Sequence, residues 1–100
     1  MNLDKNAWFS NRKPCGDIDI IVKILETLTK AIVENPGAVR VTKSEGSRIL
    51  LIELRVVRED MGRVIGKNGR TIKTLNWIAE VLSRGCGKRA QVDLLPPRAG

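Results

Sequence analysis

One hundred residues carrying a formal net charge of +7 leave room for one small domain and point to a phosphate-bearing or otherwise acidic partner, although charge says nothing about fold. Histidine is absent, which removes the usual general base and the commonest metal ligand, and the other residues offer no catalytic constellation, metal set or cofactor motif. No apolar run approaches about 18 residues, so no membrane span is expected.

Residues 1–17 read as a flexible N-terminal arm in which Trp8-Phe9 sits among polar residues before Pro14 and Gly16. Trp8-Phe9 could also dock on the domain or stack on a base. Met1 to Asn11 lacks the apolar stretch of a secretory signal. Cys15 and Cys86 are expected as reduced thiols in a cytoplasmic protein.

A helix is predicted from Ile18 to Glu34, with Asp17 as N-cap. Ile18, Ile21, Leu25, Leu28 and Ile32 form its apolar stripe, flanked by Ile24 and Ala31. Asn35-Pro36-Gly37 ends it. Ala38 to Lys43 alternates as a short strand, Ser44 to Ser47 is a hairpin turn, and Arg48 to Val57 is a longer strand. In that strand Leu50, Ile52, Leu54 and Val56 share one side. The run Ile49 to Ile52 is apolar on both sides, which predicts partial cover of the outer face as well. Arg58-Glu59-Asp60 opens a short helix through Met61, Val64 and Ile65, with the two carboxylates placed to suit its dipole. A longer helix runs from Arg70 to about Arg84 with Ile72, Leu75, Ala79 and Leu82 inward. Gly85-Cys86-Gly87 stops it, Lys88 to Leu95 is the last strand, and Pro96-Pro97 closes the domain.

Between the last two helices lies Gly66-Lys67-Asn68-Gly69. The glycines permit a sharp turn, and the first amides of the helix that follows suit an anion. Arg63, Lys67, Arg70 and Lys73 surround the loop, with no acidic residue between Met61 and Ala79. The spacing fits neither a P-loop, which needs four residues between its glycines, nor the dinucleotide fingerprint, since position 64 is Val64.

With its flanks the loop reads V-I-G-x-x-G-x-x-I, from Val64 to Ile72. That resembles the signature of KH domains, in which a GXXG loop clamps the backbone of single-stranded nucleic acid. Residues 18–95 resemble the small bacterial single-KH-domain proteins of the KhpA family; residues 1–17 and the tail 96–100 lie outside. The resemblance implies an α+β fold of type II KH order, α-β-β-α-α-β, with a three-stranded mixed sheet covered on one face by three helices. It also implies single-stranded RNA binding, in a post-transcriptional regulator or RNA chaperone, and pairing with itself or with a larger KH-domain protein.

The expected RNA-binding residues are Arg63, Val64, Ile65, Gly66, Lys67, Asn68, Gly69, Arg70, Ile72 and Lys73. Loop amides from Lys67 to Arg70 would meet phosphates. Val64, Ile65 and Ile72 would form one wall of an aliphatic groove, and the sheet edge near Val39 to Val41 the other. The chain has three aromatic residues, none between Ala38 and Asn76, which disfavours folds that stack bases on strand aromatics. Thr74, Trp77, Ile78 and Val81 form a largely apolar patch opposite the core stripe of the last helix and are the expected dimer interface. Two alternatives stay open: a KH fold used chiefly for protein contacts, and a helix-turn-helix DNA binder reading with residues 70–84.

Overall fold

The computed structural model describes residues 18–97; the expectations placed on residues 1–17 and on the last three residues lie outside them. Helix α1 spans Ile18–Ile32, strand β1 Arg40–Glu45, strand β2 Ile49–Arg55, helix α2 Met61–Ile65, helix α3 Arg70–Ser83 and strand β3 Arg89–Leu95. Short 3₁₀ turns at Pro36–Ala38, Arg58–Asp60, Lys67–Gly69 and Arg84–Cys86 join them. The order is the α-β-β-α-α-β expected.

The sheet runs β1-β2-β3, with β1 antiparallel and β3 parallel to the central β2. Leu50, Ile52 and Leu54 of β2 pair with Ala90, Val92 and Leu94 of β3. They point to the face that the three helices cover, where Leu50, Ile52 and Leu54 are fully buried. A sheet with one apolar side needs such cover. The opposite face carries Ile49, Leu51, Glu53 and Arg55, and no described helix lies on it. Ile49 is 54% exposed, so the predicted cover of this face is not found among the described residues.

Strand β1 begins at Arg40 where Ala38 was expected, since Ala38 closes a 3₁₀ turn, and β2 spans Ile49–Arg55 where Arg48 to Val57 was expected; two further boundaries moved for physical reasons. Helix α1 stops at Ile32 instead of Glu34 because the amides of Glu34 and Asn35 donate to the Asp60 carboxylate at 3.2 and 3.0 Å. A longer helix would have sent them to carbonyls one turn back. The hairpin turn falls at Gly46, whose amide donates to Ile49 O at 2.8 Å, so β1 extends to Glu45. The stripe of α1 also centres differently. Thr29 is fully buried in it, made compatible with the core by its hydroxyl donating to Leu25 O at 2.7 Å, while Leu28 and Ile32 are only partly buried.

Candidate nucleic-acid interface

Helix α2 ends at Gly66, whose amide donates to Gly62 O at 2.9 Å. Gly66 takes φ 77°, ψ 173°, a region essentially reserved for glycine. A Cβ there would run into the Thr71 side chain and stand 2.9 Å from Thr71 N. Asn68 (φ 58°) and Gly69 (φ 73°) continue in the left-handed region; asparagine tolerates it better than most side chains. The loop is therefore a tight, outward-turned knuckle.

Its amides are not all available. Gly69 N donates to Gly66 O at 3.1 Å and Arg70 N to Lys67 O. Those two bonds close the loop, so the expected donor set narrows to Lys67 and Asn68, whose amides have no backbone partner among the described residues. Lys67, Asn68, Arg70 and Lys73 are all exposed. Among the described residues none of the three cations forms an ion pair, whereas Arg63 is paired, its Nη2 lying 3.1 Å from Glu34 Oε2.

The aliphatic residues divide. Ile65 is 40% exposed and Ile72 partly buried against the core, but Val64 is fully buried. Val64 is a core residue; its side chain cannot face a base. The second wall was also misplaced. Strand β1 is on the far side of β2 from β3, and Val39 is buried. Helix α3 packs along β3 instead, and between them lies an open trough of about 400 Å³ lined by Ile72, Lys73, Asn76, Trp77, Glu80 and Val92.

Asn76 joins the trough's two sides and was missed by sequence reasoning. Its Oδ1 accepts the Val92 amide at 2.8 Å and its Nδ2 donates to Glu80 Oε1 at 3.2 Å. The Val92 amide thus turns to α3, on the edge of β3 that no described strand covers. A lone asparagine in a helix gives no signal of this; an edge strand in need of a partner does.

Asp60, read from sequence as a carboxylate serving its own helix, is fully buried and makes no cap bond to α2. It accepts from the backbone of Glu34 and Asn35 and from Asn35 Nδ2 at 3.1 Å. Burial pushes its pKa up, but the Asn35 side chain, these two amides and the Arg63 charge together outweigh it and hold the carboxyl below its ordinary 3.8. The bond network ties the end of α1 to the base of the loop-bearing unit.

On the exposed side of α3, Trp77 is 61% exposed and Val81 39%. Thr74 and Ile78 line a separate groove against α1 with Leu28, Ala31 and Ile32. The four residues share one surface, with Trp77 at its crest toward β3. The helix-turn-helix alternative fits poorly: α2 has five residues, and the exposed face of α3 bears Trp77, Ile78 and Val81 in place of the donors that read base edges. Among the described residues no acidic and cysteine side chains cluster as a metal site, and no helix is long and apolar enough to cross a membrane.

A family model described as KhpA/KhpB, KH domain, matches residues 22–94. A protein of Aquifex aeolicus named RNA-binding protein KhpA is 42% identical over 72 residues, which is 72% of this chain and 91% of that one. Proteins of the same name from Caldanaerobacter subterraneus and Clostridium acetobutylicum are 37% and 36% identical, each over 73% of this chain and 97% of theirs. Among solved structures, Era in complex with MgGDPNP and a stretch of 16S ribosomal RNA matches with a TM-score of 0.52 at 19% identity. That match covers 77% of this chain and 31% of Era, and it speaks to the fold alone. The loop and nearly all of the helices and sheet pairing fall within the matched span, and the chain belongs to the KhpA/KhpB KH-domain family.

Proposed function

We propose that this protein binds single-stranded RNA, with the Gly66–Gly69 loop as phosphate clamp and the trough between α3 and β3 as the seat for bases. The observation that carries it is the knuckle itself. Two amides without a backbone partner among the described residues, at Lys67 and Asn68, sit among Lys67, Arg70 and Lys73, which form no ion pair among those residues, and beside the trough that Ile72, Trp77 and Val92 help to line. Relatives of this chain are named RNA-binding protein KhpA, which supports the same reading. Arg63 contributes charge at the margin, its guanidinium shared with Glu34. We read the activity as binding without catalysis, in a cytoplasmic protein of post-transcriptional regulation or RNA chaperoning, and the resemblance to KhpA proteins supports that reading.

The test is Lys67→Asp/Asn68→Asp. Aspartate also tolerates the left-handed conformation of position 68, and both sites are exposed, so stability should change by about 0.5 kcal/mol or less. Two negative charges would then face the phosphate. RNA binding in a gel-shift titration should vanish while the circular dichroism spectrum is retained. A folded variant that binds like the parent removes the clamp.

The exposed Trp77 favours a second element of the reading, pairing through α3 with a second copy or with a larger KH-domain protein. One small domain spans few nucleotides, and a paired assembly gains effective concentration without new contacts. Tryptophan is a frequent interface anchor.

A further inference from the structure

Arg40 and Arg55 are direct partners across the β1–β2 ladder, on the face of the sheet turned away from the helices. Like charges placed opposite one another destabilise a sheet. Among the described residues no carboxylate pairs with either. Arg40 Nη1 donates to Gly37 O and Val39 O, both at 2.9 Å, and Arg55 Nη1 to Pro96 O at 2.8 Å. The acids of this face, Glu53 and its cross-strand partner Asp93, accept from Thr42 Oγ1 at 3.4 Å and from Gln91 Nε2 at 3.2 Å. Backbone carbonyls therefore orient the two guanidinium groups, and no described carboxylate lies within ion-pair distance of either.

Both border a pocket of about 370 Å³ whose remaining lining is mostly apolar: Ala38, Val56, Val57 and Pro97, with Thr42. That volume lies within the range of small-ligand sites. An aliphatic floor rimmed by two planar cations matches one nucleotide: the base lies on the floor against a guanidinium plane, and the phosphate meets the charge.

The position fits as well. Ser83 Oγ bonds Lys88 O and Asn76 bonds Val92, so α3 runs back along β3 and its loop-bearing start lies at the C-terminal end of the strands. Arg55 and Pro96 stand at that same end. A strand leaving the loop can turn the end of the sheet and reach the outer face.

We infer that the Arg40–Arg55 pocket is a second nucleotide site, which holds a base and phosphate flanking those at the Gly66–Gly69 loop. The inference rests on the RNA-binding reading above, and its experiment separates the two. The full chain, parent and Arg40→Gln/Arg55→Gln, is titrated with labelled single-stranded RNA of about four and about twelve nucleotides, the shorter matching a loop clamp alone. The variant should bind the short RNA like the parent and the long RNA about tenfold more weakly, with a salt slope shallower by about 0.7 from one lost phosphate contact. Arg84→Gln/Arg89→Gln removes the same charge at the opposite end of the sheet and should lose less than about twofold. Arg40→Gln alone, which spares the Arg55–Pro96 bond, should retain the fold and lose about threefold on the long RNA. Equal losses in the Arg84/Arg89 control, or undiminished binding of the long RNA, overturn the second site while leaving the loop intact. A parent that binds neither RNA refutes the reading of the loop, and the second site with it.

Discussion

Asp60 holds Asn35 twice, by its backbone amide at 3.0 Å and its side-chain amide at 3.1 Å, across 25 residues of sequence. The same carboxylate takes the Glu34 amide, while the Glu34 side chain meets Arg63. The end of α1 and the start of the loop-bearing unit are thereby fastened through one buried charge. Its folded pKa is depressed, so its contribution to stability is fully present above the unfolded value and is lost as pH falls through the lower folded value. Acid should therefore weaken the parent most steeply below about pH 4. Asp60→Asn should be less stable near neutrality and should show a flatter acid limb in urea melts. Parallel acid limbs in the two proteins would refute this role.

The two loop glycines should not respond alike. Gly66→Ala forces a glycine-only conformation and a collision with Thr71, and should cost about 2–4 kcal/mol. Gly69→Ala meets nothing nearer than Lys73 Cε at 3.9 Å; only its positive φ is strained, at about 1 kcal/mol. Thermal melts that ranked the two equally would count against the loop geometry.

Salt reports on the clamp. Three or four phosphate contacts to a short single strand give a log–log slope of about −2 to −3. Between about 50 and 200 mM salt the affinity should fall roughly 20- to 50-fold. A flat titration would leave the cations around the loop without a role.

For the exposed face of α3, light scattering should find the parent paired at high concentration and Trp77→Glu monomeric. Trp77 is largely solvent-exposed in the single chain, so the substitution should leave the fold within about 0.5 kcal/mol. A parent that stays monomeric rules out self-pairing, and a variant that stays paired moves the interface elsewhere.

What could be read from sequence, and what could not, divides along local and long-range physics. The six elements follow from periodicity and from turn residues that act within a few positions, as Gly46, Gly66 and Gly69 do. The loop and its cations are contiguous and so were legible. The far wall of the trough was not. Whether α3 lies along β1 or β3 depends on strand order, which no local pattern encodes. Val64 and Ile65 are adjacent apolar residues of one short helix, and only the packing of α2 decides that Val64 faces in. Thr29 was passed over, and Asp60 assigned to its own helix, because polar residues are expected outside; each is buried with partners supplied chiefly by the backbone.

The parallel pairing of β2 with β3 has a consequence for how the chain is made. Among the described residues β3 is the last element, joined to β2 through α2, the loop and α3. Until it emerges, one edge of the apolar strand β2 has no strand beside it. A nascent or truncated chain ending before Arg89 would expose that apolar strand edge, the kind of surface on which chains associate wrongly. The strand that completes the sheet is therefore also the one that shields it.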